Sequence, residues 1–324
     1  LLRETTDAWV QSPGTPHYLD DGSFLWLSET TGYRHIQHIT RSGRRRRVVT
    51  AGEWEVQKIL GVDEDLGFVY FLGNRESGAE SHAYRVLLGN GQVTRLTRQA
   101  GNHSVRFNDS CSHYIDYVSG IHRPVSVSLH RADGTRLRTL APNLVDHLEY
   151  YRLREPEFVE FAARDGHQLS AILIKPPNFD PQKQYPVLCH VYGGPQAPVV
   201  RNRWSGSTYL WHQYLAQQGY VIWISDNRAA THKGARGAWS MHLEMGKTEL
   251  KDLEDGVNWL GKKDWIDRQR VGIWGWSYGG YLVSYALTHS RLFKAGIAGA
   301  PVTDWRNYDA IYTERYMGLP KDNP

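Results

Sequence analysis

The sequence predicts two architectures in one chain: an all-β region of repeated short strands over residues 1–145, then an α/β region with a mainly parallel sheet over 146–324. Two observations predict this. Short runs of alternating apolar and polar residues recur at near-constant spacing in the first part, and strand-like runs alternate with helix-like runs in the second. The composition permits folded domains: of 324 residues, 40% are hydrophobic, 22% charged and 12% aromatic, which excludes a disordered, collagenous or coiled-coil chain. No apolar run approaches the ~18 residues of a membrane span. Only two cysteines occur, Cys111 and Cys189; they fall in different regions and are expected to be free thiols. The net charge of +4 is a mild excess that does not argue for a nucleic-acid partner, and Arg44–Arg47 reads as a solvated hairpin turn.

In the first region, Phe24–Ser28, Phe68–Leu72 and Tyr114–Val118 each follow a turn rich in Asp, Glu or Asn. The apolar residues before those turns, Leu19, Val62 and Phe107, are 43 and 45 positions apart. A second strand follows in each repeat (Tyr33–Ile36, Ala83–Val86, Val125–Leu129), then a polar turn and a third (Val48–Val49, Thr94–Leu96, Leu137–Leu140). A multi-stranded repeat of ~40–50 residues is the signature of a β-propeller blade; a β-sandwich with coincidental spacing is the alternative. About three blades are visible, fewer than the 4–8 that close a ring, so part of a propeller is expected.

In the second region the expected strands are Phe158–Phe161, Ser170–Ile174, Val187–Tyr192, Tyr220–Ile224, Val271–Trp274 and Ala295–Ala298. Helices are expected over Thr208–Gln217, Glu249–Leu260 and Tyr281–Thr288; in the second of these Leu250, Leu253, Val257 and Leu260 have helical spacing. Alternation of this kind makes a parallel sheet through βαβ units.

Gly275-Trp276-Ser277-Tyr278-Gly279-Gly280 fits the G-x-S-x-G elbow of α/β-hydrolases, with a strand running in and a helix running out. Such a turn exposes a serine hydroxyl at the top of the sheet, which makes Ser277 the candidate nucleophile. The Tyr192-Gly193-Gly194-Pro195-Gln196 run follows the third strand, where an oxyanion hole belongs. There the Tyr192 hydroxyl is expected to donate to a developing alkoxide beside the backbone N–H of Tyr278; the alternative is that Tyr192 merely ends a strand in the core. The histidines show no metal-ligand spacing, and no metal or other cofactor is expected.

These motifs resemble the prolyl oligopeptidase family of serine peptidases, most closely its dipeptidyl peptidase IV branch. Tyr192–Gln196, Gly275–Tyr281, and Ala300–Trp305 continuing through Tyr308–Gly318 carry the resemblance, with Gly32–Ile36 and Gly52–Val56 in the β region. The resemblance implies a β-propeller joined to an α/β-hydrolase domain, and release of N-terminal dipeptides with proline or alanine second, from peptides with a free N-terminus. Carried over by position, Ser277 is the nucleophile, Tyr192 and the Tyr278 N–H form the oxyanion hole, and Tyr278, Val302, Trp305, Tyr308 and Tyr312 line the proline pocket. A flat apolar pyrrolidine ring suits an aromatic slot; the bland reading of these aromatics is an ordinary core. The resemblance also favours a homodimer that is periplasmic, secreted or membrane-anchored. Asp226-Asn227-Arg228-Ala229 departs from the usual Asp-x-Arg-Gly form, and Arg228 has no assigned role.

The triad order Ser, then acid, then His is not completed. Only 47 residues follow Ser277, and their one histidine, His289, falls at the end of the helix leaving the elbow. Asp304 and Asp309 come one strand too early. With Leu1 in place of an initiator Met, the expectation is a piece of a longer peptidase, inactive alone, whose triad Asp and His and amine-binding glutamates lie outside it. The alternatives are an oligopeptidase or acylaminoacyl peptidase of the same family, and a non-enzymatic binding protein on the same fold.

Overall fold

Each β repeat folds into a four-stranded antiparallel sheet in the computed structural model, which describes residues 2–230 and 232–323. The first sheet holds β1 (His17–Tyr18), β2 (Phe24–Ser28), β3 (His35–Ile39) and β4 (Arg45–Val48). The second holds β5 (Val56–Asp63), β6 (Phe68–Gly73), β7 (His82–Leu87) and β8 (Val93–Arg95), and the third β9 (Asn102–Phe107), β10 (His113–Gly120), β11 (Arg123–Arg131) and β12 (Arg136–Ala141). Three strands per repeat were expected and four are present. The additional one opens each sheet, and it is hidden for physical reasons. β1 has two residues. β5 carries register breaks at Val56/Lys58 and Ile59/Gly61 that spoil its alternation. β9 is mostly polar.

Successive side chains on β6 point to opposite faces. Phe71 packs with Leu25, Ile36, Trp54, Tyr84 and Val86, while Tyr70 packs with Leu96, Val105, Cys111 and Tyr114. The middle sheet is therefore buried on both faces between the other two. Among the described residues the sheets make a stacked series and no closed ring.

The same polar clasp recurs one repeat apart. Thr50 Oγ1 lies 3.1 Å from His35 Nδ1 and accepts from Ile36 N at 3.0 Å. Thr97 Oγ1 does the same with His82 Nδ1 and Ala83 N, at 3.1 and 3.0 Å.

By internal contacts the chain divides into two units. One runs to Asp146 and includes Arg201–Trp204 and His232–Ala235; the other comprises His147–Val200 and the stretches from Ser205 and from Arg236 onward. Within the first, Gly234 N donates to the buried Glu55 carboxylate at 3.0 Å.

The later part of the chain runs β13 (Glu157–Ala162), β14 (Gln168–Ile174), β15 (Tyr185–His190), α1 (Ser207–Gln217), β16 (Val221–Ser225), α2 (Ala235–Trp239), α3 (Lys247–Leu260), β17 (Ile266–Trp276), α4 (Tyr278–His289), β18 (Ala295–Gly299) and α5 (Ala310–Met317). The sheet order is β13-β14-β16-β15-β17-β18. β15 to β18 pair in parallel, and β14 joins both its neighbours antiparallel.

Trp223, Val187, Cys189, Val271 and Ile273 bury the sheet against Leu250, Leu253 and Val257 of α3 and Leu282, Val283 and Ala286 of α4. Cys111 and Cys189 are both buried and free. β18 bonds only to β17 among the described strands, and Ile297 on it is 61% exposed. No helix among the described residues is long and apolar enough to cross a membrane.

Candidate active site

Ser277 sits where β17 turns into α4. Its φ of 57° and ψ of −115° lie in a region that costs a residue with a Cβ on the order of 1–3 kcal/mol. The turn is tight because the backbone approaches closely: a Cβ on Gly275 or Gly279 would meet the Val191 carbonyl oxygen at 2.5 or 2.4 Å. The Ser277 N–H donates to Gly299 O at 2.9 Å, which ties the elbow to β18. Ser277 occupies the N-cap of α4, yet its side chain makes no capping bond. Its hydroxyl is near enough to the Tyr192 phenol to affect that group's ionisation.

Tyr192 lies two residues past the end of β15, not in the strand as expected. The ladder stops after Val191 N donates to Trp274 O at 3.0 Å, because Gly193 then turns with φ 80°. That turn is held by Asn227, whose Nδ2 donates to Gly193 O at 3.0 Å and whose Oδ1 accepts from Ala229 N and Ala230 N. Burial pushes the Tyr192 pKa up, Tyr308 adds to the rise, and the nearby Ser277 hydroxyl opposes it.

The predicted pocket aromatics come together. The Tyr278 ring lies 6.2 Å from Tyr192 and 5.5 Å from Trp305. Trp305 stacks on Tyr312 at 6.0 Å and meets Tyr308 edge-on at 5.8 Å, and Tyr308 meets Tyr312 at 5.4 Å. Asp309 caps α5 by accepting from Tyr312 N at 2.9 Å, which seats Tyr308 just before the helix and Tyr312 in its first turn. Val302 is half-buried on the segment leading to Trp305.

Two neighbours escaped the sequence reading. Tyr281 packs on Trp305 at 5.0 Å; it was visible as the last residue of the elbow motif. Glu249, at the start of α3, accepts from the Tyr278 hydroxyl at 2.6 Å, and no local pattern announces it. α4 itself begins at Tyr278, three residues before its expected start, because Ser277 is the cap.

Arg228, left without a role, forks between two carboxylates: Asp252 on α3 at 2.8 Å, wholly buried, and Asp165 at 2.6 Å. These bonds hold Asp165 at about 2.

The structure brings no base or acid to Ser277 from the candidates considered. His289 stands at the far end of the 12-residue α4, roughly 18 Å along the axis, stacked on Tyr285. Asp304 is paired with Arg306 at 2.7 Å, and Asp309 is the cap of α5. His190 packs flat on Trp274 at 4.2 Å, as expected of a packed strand residue.

The chain is similar to known proteins along its length. Residues 207–324 match the prolyl oligopeptidase family, and residues 1–125 match the dipeptidyl peptidase IV N-terminal region. Human dipeptidyl peptidase 8 is 35% identical across the whole of this chain, which covers 41% of that protein. A probable dipeptidyl peptidase 4 of Emericella nidulans is 34% identical over 97% of this chain and 43% of its own length. The crystal structure of Porphyromonas gingivalis dipeptidyl peptidase 4 superposes with a TM-score of 0.93 at 35% identity, over 99% of this chain and 46% of that one. The chain thus spans less than half the length of these relatives. With both segments matched and the serine elbow in place, the chain belongs to the prolyl oligopeptidase family, in its dipeptidyl peptidase IV branch.

Proposed function

We propose that the protein is a serine peptidase releasing N-terminal dipeptides, with proline or alanine second, through an acyl-enzyme on Ser277. One observation carries the reading: a strained elbow presents Ser277 to the Tyr192 phenol at the edge of a slot walled by Tyr278, Trp305, Tyr308 and Tyr312. Ser277 Oγ attacks the carbonyl carbon of the second residue, and a general base accepts its proton. The Tyr192 hydroxyl and the Tyr278 N–H stabilise the oxyanion. The base then protonates the leaving amine, and water hydrolyses the ester and frees the dipeptide. No cofactor takes part.

We assign the base, its acid and the glutamates that hold the substrate amine to sequence outside this chain, since its relatives are more than twice as long. On the same ground the three sheets are part of a propeller and the parallel sheet is part of a hydrolase domain. This chain alone is expected to be inactive, and the whole protein to act as a homodimer on peptides outside the cytoplasm.

A fluorophosphonate probe on the full-length protein tests the nucleophile. Wild type is expected to label and Ser277→Ala not to; labelling that survives the substitution overturns the assignment. Hydrolysis of Xaa-Pro reporters but not of acyl-Ala or internal-Pro peptides is expected. The reverse preference would make the protein an acylaminoacyl peptidase or oligopeptidase, and absence of any labelling a binding protein.

A further inference from the structure

We infer that Glu249 is a positioning residue for the oxyanion hole, acting through the Tyr278 side chain. This inference rests on the proposed peptidase reading. Tyr278 has two tasks in that reading: its N–H faces the oxyanion, and its ring forms one wall of the slot. Both depend on where the side chain is anchored, and that anchor is Glu249. The Tyr278 hydroxyl donates to Glu249 Oε1 at 2.6 Å, and the same oxygen accepts from Gly246 N at 2.9 Å. The phenol therefore points away from the slot and leaves only the ring face to substrate.

The anchor is rigid on its other side too. Tyr281, one turn along α4, donates its hydroxyl to Met245 O at 2.8 Å. The first turn of α4 is thus pinned to the start of α3 by two phenols, and both rings meet Trp305, at 5.5 and 5.0 Å. Further along α3, Asp252 is fixed by Arg228 at 2.8 Å. A carboxyl tying the residue after the nucleophile to a separately braced helix fixes the N–H direction more closely than helix geometry does alone.

A surface-seeking carboxyl in this place also needs explaining. Glu249 is completely buried, and its Oε2 finds no hydrogen-bond partner among the described residues. Burial pushes its pKa up, against the opposing bonds from Tyr278 and Gly246. Helix capping alone would be served by a residue at the surface; a buried carboxyl aimed at Tyr278 serves position.

The full-length enzyme assayed on an Xaa-Pro reporter, with active sites counted by fluorophosphonate titration, tests the inference. Tyr278→Phe removes the anchoring hydroxyl and keeps ring and N–H; kcat per titrated site is expected to fall about tenfold or more with KM within twofold. Glu249→Gln keeps an acceptor at the Oε1 position and is expected to retain most of kcat, while Glu249→Leu loses as much as Tyr278→Phe. Full kcat per site in Tyr278→Phe, whatever the melting temperature, overturns the inference, as does an equal loss in Glu249→Gln and Glu249→Leu. If Glu249→Leu fails to fold, Tyr278→Phe still decides. An inactive, unlabelled wild type would instead overturn the peptidase reading, so the two failures are distinct.

Discussion

Replacing Tyr192 with phenylalanine would keep its ring beside Tyr278 and remove only the hydroxyl near Ser277. If that hydroxyl is an oxyanion donor, kcat on an Xaa-Pro reporter falls by about 10²–10³ while KM changes little. An unchanged kcat returns Tyr192 to the packing role that the sequence left open. Residue-scale legibility followed the range of the interactions. The elbow could be read because its glycines report a local backbone need: a side chain at Gly275 or Gly279 would strike Val191. Glu249 could not be read, because its meaning comes from a residue 29 positions away on another helix. Likewise Arg228 looked like a broken motif until its two carboxylate partners were in place.

The β elements were legible as a repeat and less so strand by strand. Period-two alternation revealed the second, third and fourth strands of each sheet and missed β1, β5 and β9, which are short, irregular or polar. What holds neighbouring sheets together was also invisible. Trp54 lies just before β5, stacks on Phe71 at 5.9 Å and meets His35 edge-on at 4.9 Å, with 8% of its surface exposed. Trp54→Ala removes this wedge between the first two sheets and is expected to cost about 3–5 kcal/mol, read as a lower urea midpoint. A loss under 1 kcal/mol would mean the sheets close over the gap. In the parallel sheet, by contrast, continuous apolar runs flanked by helical spacing gave the elements directly, most clearly at β16, which is buried throughout. The hairpin of β13 and β14 joins antiparallel, a detail of pairing that periodicity does not encode.

At the scale of the whole molecule, acid sensitivity follows from two histidines beneath the sheet. Burial lowers His190 from 6.5 to about 4 and His212 to about 3, the latter helped by His190. The unfolded chain takes up these protons near pH 6.5 and the folded one resists, so stability falls as pH drops from about 6.5 toward 4. The loss amounts to a few kcal/mol. Urea midpoints across that range are expected to decline, and His212→Phe to flatten the slope; an unaltered slope would place the sensitivity elsewhere.

The outermost strand of the parallel sheet, β18, offers a row of amides and carbonyls on its free side, with Ile297 standing out at 61% exposure and Trp276 beside it at 65%. Such a border is a template: it can recruit any extended segment, including the same border of another molecule. The 324-residue chain prepared alone should therefore be colloidally unstable, with light scattering that rises with concentration. Ile297→Lys, which adds charge to the border without touching the elbow, should suppress it. A wild-type chain that stays monodisperse would show that the border is already guarded.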